Sequence, residues 1–185
     1  EVRRCLEYGR WVELVVGLDA IGDWIQARQR EEHSPTARWQ VKDASEEGYA
    51  LVWDESAASL LQVGDLLCLV ADSEQEQPVF QLLVVRRVQA ERAQGTELGV
   101  EKLPGAPNPV RVVMDDPSAD SYQALFLPSS GAAGSVARLV APPPVYQQNR
   151  SLLIYVGERE VPVRCAERVE QAPGFDCFEF TSASH

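Results

Sequence analysis

Short runs of alternating polar and apolar residues, separated by turn-forming residues, constrain the fold more than any other feature of the chain. Three of them are RWQVKD (38–43), YALVW (49–53) and TELGVEKL (96–103). Alternation with a period of two predicts strands that bury one face. Strands at such short spacing, with little helix between them, are typical of small antiparallel barrels. The sequence therefore predicts an all-β protein built around a closed sheet.

Further strands of the same kind are predicted on both sides of a proline-rich break, PGAPNP (104–109). Before the break lie WVELVVGL (11–18), LQVGDLLCLVA (61–71) and VFQLLVVRRVQ (79–89); beyond it lie VRVVM (110–114), YQALFLP (122–128), SVARLVA (135–141), SLLIYV (151–156), EVPVRCAERVE (160–170) and FDCFEF (175–180). Clustered proline and glycine mark loops between folded elements. We therefore predict a β-barrel domain over residues 1–104 and a second, smaller β-barrel-like unit over residues 110–185.

One short helix is predicted directly after the first strand. Asp19 can cap it, and Ile21, Trp24 and Ile25 recur at helical spacing, although Gly22 lowers the helix propensity of the segment. The apolar face of this helix has two interpretations. It packs on the barrel, or it anchors a partner protein.

Charge and hydropathy exclude several classes of protein. The formal net charge of −11 would repel a polyanion, so DNA is not an expected partner. No run approaches eighteen apolar residues, so no membrane span is predicted. The N-terminus, EVRRCLEYGRW, has no basic-then-apolar leader and begins with Glu rather than Met, so we expect a cytoplasmic segment of a longer protein.

The cysteines and histidines give no metal or catalytic signature. Cys5, Cys68, Cys165 and Cys177 are widely spaced, without a C-x-x-C, and a reduced state is expected. His33 lies in a polar loop and His185 is terminal, so no base is placed beside a nucleophile. Phosphate-binding and nucleophile-elbow motifs are absent from the sequence. We therefore expect a protein that is not an enzyme, holds no metal and needs no cofactor.

The stretch KDASEEGY (42–49), between two alternating runs, combines Asp43, Ser45 and Gly48 in six positions. A carboxylate and a hydroxyl at a turn can accept the backbone N–H groups of that turn or the N–H edge of a ligand. Gly48 permits a positive φ or a close approach of another group to the backbone. The alternative is an Asx-turn that stabilises a hairpin and binds nothing.

The order of four motifs carries a family resemblance. DASEEG (43–48), LQVGDLLCLVA (61–71), LLVVRRVQ (82–89) and TELGVEKL (96–103) follow one another in a pattern that resembles the PilZ domain family. PilZ domains are small β-barrels that in many bacteria bind the second messenger cyclic di-GMP. The resemblance covers about residues 1–104 and implies a PilZ-like antiparallel barrel of a divergent branch, with an additional C-terminal β unit.

The resemblance also implies a ligand site in two parts. In the family, the Asp and Ser of the turn hydrogen-bond a guanine and the Gly leaves room; here these are Asp43, Ser45 and Gly48. An upstream R-x-x-x-R segment supplies arginines for the phosphates and guanine faces. Its counterparts here are Arg3, Arg4 and Arg10, whose spacings are one, six and seven. The alternative is a degenerate PilZ-like adaptor that binds a bacterial signalling or motility protein without nucleotide.

Other candidate residues are expected to be structural. Alternation places Arg86 and Arg87 on opposite faces of one strand, so one of them could line a groove. Trp39 and Trp53 lie on the two strands beside the turn, where we expect them to pack together rather than stack on a base. The literal R-x-x-x-R, Arg164 to Arg168, lies in the C-terminal unit and is interpreted as the solvent face of a strand.

Overall fold

The structure, a computed structural model, describes residues 9–29, 37–53, 61–71, 78–91, 95–114, 120–129, 131 and 135–183. Twelve strands and one helix lie within these residues: β1 (Trp11–Val16), α1 (Leu18–Gln29), β2 (Ala37–Ala44), β3 (Gly48–Trp53), β4 (Leu66–Ala71), β5 (Val79–Glu91), β6 (Gly95–Lys102), β7 (Asn108–Met114), β8 (Ser121–Leu127), β9 (Arg138–Ala141), β10 (Ser151–Val156), β11 (Arg159–Ala172) and β12 (Phe175–Ser182). The predicted all-β fold class is confirmed.

The first barrel closes antiparallel strands in the order β1-β2-β3-β6-β5-β4, with β4 pairing back onto β1. Alternate residues of each strand fill its interior. The central buried side chains are Val12, Leu14, Trp39, Val41, Leu51, Leu67, Leu69, Leu83, Val85, Leu98 and Val100. This alternation leaves the other face of β2, β3 and β6 for polar residues, and the candidate site lies on that outer face.

The second barrel closes in the order β10-β11-β12-β9-β8-β7, with β7 pairing back onto β10. Its core is centred on Phe178, which is fully buried and lies 5.0 Å from the ring of Tyr146. Arg150 holds the 142–150 loop beside this core, because its guanidinium donates to the carbonyls of Pro144 and Val145 at 2.7 and 2.9 Å. The second barrel thus has as many strands as the first.

Helix α1 belongs to the second compact unit although it precedes most of the first in sequence. The two units comprise residues 1–17 with 34–104, and residues 18–33 with 105–185. Ile21, Trp24 and Ile25 are buried, and the helix contacts β7 and β8. At Gly22, a Cβ atom would lie 1.9 Å from the Gln123 amide nitrogen, so the glycine permits close contact between helix and strand. The helix is therefore packed, but on strands of the second barrel and not on the barrel of residues 1–104 within which it was predicted.

The described cysteines, Cys68, Cys165 and Cys177, are buried and free. Burial raises the pKa of the Cys68 thiol to about 12 and that of Cys177 to about 11. Neutral thiols of this kind are poor nucleophiles and poor metal ligands. The expected reduced state therefore holds for these three residues, and Cys5 lies outside the described part of the chain.

A buried carboxylate in the second barrel gives a pH-dependent prediction. Asp176 is 2% exposed, and its Oδ1 atom lies 3.6 Å from Nη1 of Arg168. Burial raises the pKa of Asp176 above its ordinary 3.8, and Arg168 offsets part of that rise. Because the folded state favours the neutral acid, Asp176 stabilises the fold fully below pH 3.8, and this contribution is lost as the pH rises through the raised pKa.

We expect Asp176→Asn to stabilise the chain near neutral pH, and the difference from wild type to shrink as the pH falls toward about 4. Urea unfolding between about pH 4 and pH 8 measures this difference. Asp120→Asn, which makes the same substitution at an exposed carboxylate, is the control. A destabilised Asp176→Asn variant near neutral pH would mean that the ion pair with Arg168 outweighs the cost of burial.

Candidate functional site

The turn between β2 and β3 is held by its own side chains. Ser45 Oγ accepts from the Gly48 N–H at 3.1 Å, and the Ser45 N–H donates to the Gly48 carbonyl at 2.9 Å. Asp43 Oδ1 accepts from the Ala44 N–H at 2.9 Å. Asp43 Oδ2 makes no hydrogen bond within the described part of the chain, and both Asp43 and Ser45 are exposed. The turn therefore stabilises itself and still offers acceptor atoms to solvent.

Gly48 is required by the packing of two strands. It pairs with Glu101 on β6, and a Cβ atom at Gly48 would lie 2.0 Å from the Val100 carbonyl oxygen. A real Cβ cannot approach a backbone oxygen so closely, so any side chain here would force β3 and β6 apart. In this structure Gly48 allows the backbones of β3 and β6 to lie close together.

Lys102, at the end of β6, fixes the turn from the opposite side. Its ammonium donates to the Ser45 carbonyl at 2.6 Å and lies 4.3 Å from the centre of the Tyr49 ring. Its backbone N–H donates to the Glu47 carbonyl at 2.7 Å. Lys102 therefore acts as a positioning residue for the turn, and no sequence motif marks it.

A surface pocket of about 360 Å³ opens beside the turn on the outer face of the first barrel. It is lined by Asp43, Ala44, Ser45, Glu47, Gly48, Tyr49, Ala50, Arg86, Arg87, Gly99, Val100 and Glu101. Small residues on the neighbouring strands, Ala50 and Gly99, keep its floor close to the backbone. The pocket brings the turn together with two arginines that lie about forty positions later in the sequence.

Arg86 and Arg87 reach this pocket together because β5 contains a β-bulge. The pairing of β5 with β6 shifts register between Val85 and Arg87. The extra residue interrupts the alternation, so the two side chains are 36% and 59% exposed and both line the pocket. The expectation that they occupy opposite faces of the strand is therefore wrong.

Carboxylates of β6 hold both arginines. Arg86 Nε donates to Glu101 at 2.7 Å, and Arg87 Nη2 donates to Glu97 at 2.7 Å. Glu97 also accepts from the ammonium of Lys42, on the far side of β3. Its side chain is 13% exposed, whereas that of Glu101 is 51% exposed. Glu101, which lines the pocket, is thus a solvated carboxylate, whereas Glu97 is tightly held.

Of the three N-terminal candidates, only Arg10 lies among the described residues. Arg3 and Arg4 lie outside them. Arg10 is exposed, and its carbonyl accepts from the Val41 N–H at 2.8 Å. The Gly9 N–H donates to the Val41 carbonyl at 2.7 Å. The residues that lead into β1 therefore pair with β2 at Val41, two residues before Asp43.

The remaining candidates have structural environments. Trp39 is buried, with its ring 5.3 Å from that of Trp53, and both belong to the core of the first barrel, as expected. Arg164 is exposed on β11, and Arg168 pairs with Asp176. Among the described residues, no three His, Cys, Asp or Glu side chains form a group that could hold a metal ion. The described helix is too short to cross a bilayer.

Comparison with family models matches nearly the whole chain in two consecutive parts. Residues 19–109 match the model described as "Cyclic-di-GMP receptor FimW, middle PilZ domain". Residues 110–183 match the model described as "FimW C-terminal beta-barrel domain". The two matches meet between residues 109 and 110, inside β7, the first strand of the second barrel.

Among curated proteins, the cyclic-di-GMP receptor FimW of Pseudomonas aeruginosa is 27% identical over 163 residues. The alignment covers 85% of this chain and 26% of that protein. The chain therefore spans about a quarter of the length of the curated relative that it matches.

Proposed function

Because the chain belongs to the PilZ domain family, with a middle PilZ domain and a C-terminal β-barrel domain of the FimW type, we propose that it binds cyclic di-GMP and catalyses no reaction. The observation that carries this proposal is the pocket of about 360 Å³ between the Asp43–Gly48 turn and two arginines. Its rim holds acceptors and its wall holds cations. Guanine offers N–H donors, and phosphodiesters require cations, so the two halves of the pocket suit the two halves of a guanine nucleotide.

The turn supplies the base-recognition half of this proposal. The Watson–Crick edge of guanine carries two adjacent N–H donors, and an exposed carboxylate is their natural acceptor. Asp43 Oδ2 makes no hydrogen bond within the described residues, so a base can use it without breaking the turn. Ser45 Oγ lies at the same rim and can share its hydrogen bonds with a ligand.

The N-terminal arginines supply further cations for the phosphates. The pocket is at the small end of the roughly 300–1,000 Å³ range of ligand sites, so it holds part of a dinucleotide. Arg10 directly precedes β1, the strand that pairs with β2. Arg3 is six residues upstream of Gly9, so the extended chain can place it at most about 20 Å from Gly9. We propose that Arg3, Arg4 and Arg10 cover the ligand and neutralise its phosphates.

A second candidate function is an adaptor that binds a bacterial signalling or motility protein without nucleotide. The observation that favours it is that polar side chains of the site already have partners within the protein. Ser45 bonds within its own turn, and Arg86 and Arg87 are already paired with carboxylates. A surface of this kind is stable without a ligand.

Calorimetric titration with cyclic di-GMP distinguishes the two functions. We expect saturable binding in the micromolar range by the wild-type chain. Asp43→Ala should weaken it about ten- to a hundredfold, because a hydrogen bond to a charged group contributes about 1.5–3 kcal/mol. Ser45→Ala should weaken it by a smaller factor, since the hydroxyl is neutral.

Asp120→Ala removes an exposed carboxylate from the second unit and is the matched control, with affinity expected to equal that of wild type. Replacing Arg3, Arg4 and Arg10 together tests the cationic half and should abolish measurable binding. A folded wild-type chain that gives no heat of binding would contradict the receptor proposal and favour the adaptor.

A further inference from the structure

A second surface pocket, of about 390 Å³, lies in the second unit beside helix α1 and three strands of the barrel. It is lined by Gln26 of α1, Pro109, Val110 and Arg111 of β7, Ser121 and Gln123 of β8, Tyr155 of β10, and Gly157. The whole lining belongs to the second unit, whereas the Asp43–Gly48 turn belongs to the first. An inference about this pocket therefore does not rest on the binding of cyclic di-GMP.

A row of side chains on paired strands forms the floor of this pocket. Arg111 on β7 is flanked by Gln123 on β8 and by Tyr155 on β10. The residues on either side of Arg111 are in the core, so alternation directs this row to the outer face. The Arg111 guanidinium lies 4.3 Å from the centre of the Tyr155 ring, a cation–π contact. A hydrogen bond to the Glu160 carboxylate on β11 raises the pKa of Tyr155, so the ring that supports the cation is itself held.

Arg111 and two glutamine amides offer hydrogen-bond donors to this pocket. Arg111 is exposed, and its guanidinium makes no hydrogen bond or ion pair within the described residues. The amides of Gln26 and Gln123 likewise make no hydrogen bond in the part of the chain that the structure describes. A Cβ atom at Gly22 would lie 1.9 Å from Gln123 Nε2, so this amide extends to the backbone of α1. The described lining has one arginine and no carboxylate, so it is positive in a chain of net charge −11.

We propose that this pocket binds a small organic phosphate, with the phosphate oxygens on the Arg111 guanidinium. A guanidinium above an aromatic ring keeps its edge free, and that edge binds two phosphate oxygens in parallel. Gln26, Ser121 and Gln123 line the same pocket and add donors that a phosphate, with more oxygens, uses better than a carboxylate. The volume falls within the roughly 300–1,000 Å³ of small-molecule sites, and Pro109 offers apolar surface to the organic part of the ligand.

Phenyl phosphate is the probe, because it joins a phosphate to a small apolar ring. We expect saturable binding to the full chain with a Kd of about 1 mM or below, followed by the NMR shifts of backbone amides. The shifts should centre on α1, β7, β8 and β10. Arg111→Gln should weaken binding about tenfold or more, since it removes the charge that the phosphate binds. Arg164→Gln removes an exposed arginine of the same unit outside the pocket and is the matched control, with unchanged affinity.

Tyr155 has the role of a positioning residue, which two substitutions test. Tyr155→Phe keeps the ring beside the guanidinium and should bind phenyl phosphate nearly as tightly as wild type. Tyr155→Leu removes the ring and should weaken binding about two- to fivefold, the effect of losing an exposed cation–π contact. Equal losses in the two variants would contradict this role, because a ring that only supports Arg111 is fully replaced by phenylalanine.

Three results would overturn the inference: no saturable binding of phenyl phosphate to the folded chain, equal losses in Arg111→Gln and Arg164→Gln, or shifts that centre on the first barrel. Benzoate, which carries a carboxylate on the same ring, tests the choice of anion, and tighter binding of benzoate would contradict a phosphate site. Asp43→Ala should bind phenyl phosphate as wild type does. A chain that binds phenyl phosphate through Arg111 but gives no heat with cyclic di-GMP would support this inference and contradict the receptor proposal.

Discussion

Gly48→Ala is expected to destabilise the first barrel by about 2–4 kcal/mol, because the added methyl group cannot be accommodated without backbone movement. Its Cβ would lie 2.0 Å from the Val100 carbonyl oxygen and 3.0 Å from the Val100 carbonyl carbon. A flexible side chain could rotate away, but a carbonyl within a sheet ladder cannot. The added methyl group strains the pairing of β3 with β6 and the turn between β2 and β3. Ligand affinity should therefore fall as well.

Urea unfolding followed by tryptophan fluorescence measures this effect, since Trp11, Trp39 and Trp53 all belong to the first unit. Gly99→Ala is the matched control. Gly99 lines the same pocket, but its Cβ would lie 3.3 Å from the Arg87 Cβ, a tight contact that a shift of a few tenths of an ångström relieves, so a smaller loss of stability is expected. Equal destabilisation by the two variants would show that general crowding of the pocket, and not the Val100 carbonyl, limits position 48.

The expected result changes the meaning of the glycine in the turn motif. The family resemblance implies that Gly48 leaves room for a ligand, and in the structure the backbone of strand β6 also approaches Gly48 closely. Loss of binding in a Gly48 variant would therefore report a deformed turn. Asp43 is the position where an affinity change reports ligand contact most directly, because its Oδ2 atom makes no hydrogen bond within the described residues, whereas Ser45 Oγ also holds the turn.

Strand positions were predictable because the pattern that marks a strand depends on neighbouring residues of the chain. One buried and one solvated face impose alternation, and every run predicted from alternation or apolar composition coincides with a strand of the structure. The two β-bulges described in the first barrel were not predictable, since a bulge depends on the register of the partner strand. One lies at Lys42 on β2, directly before Asp43, and the other at Arg86 on β5, which lines the pocket.

The turn itself was predictable from residue types, because Asp, Ser and Gly each have a local reason to occupy it. Lys102, Glu97 and Glu101 were not, because their roles depend on contacts with residues from distant positions. Lys102 bonds to Ser45 at a separation of 57 residues, and Glu97 bonds to Lys42 at 55. A pair of adjacent arginines inside an otherwise apolar strand is the one sequence signal that pointed to this wall.

The helix illustrates the same limit at larger scale. The spacing of Ile21, Trp24 and Ile25 predicted an amphipathic helix, and those three side chains are buried. Gly22 looked like a weakness in the helix when only propensity was considered. It is the point where Gln123 of the second unit approaches, so its value depends on a partner more than a hundred residues away.

Trp39→Ala is expected to destabilise the first barrel by about 3–5 kcal/mol, the cost of removing a large aromatic side chain from a core. Trp39 is 2% exposed and packs against Trp53 with ring centres 5.3 Å apart. Its position beside the turn once left open a role in stacking on a base. Burial excludes that contact, because a ring enclosed by the barrel cannot present a face to a ligand on the outer surface.

Trp11→Ala is the matched control, since it makes the same substitution on the neighbouring strand and the opposite face. Trp11 is 47% exposed, with the Arg38 guanidinium 5.7 Å from its ring centre, so its loss should cost below about 1 kcal/mol. Unfolding in urea, followed by the fluorescence of the tryptophans that remain, compares the two variants. If Trp39→Ala keeps wild-type stability but loses affinity for the ligand, Trp39 is a ligand contact and not a core residue. If both variants lose the same free energy of unfolding, Trp39 is not in the interior of the barrel.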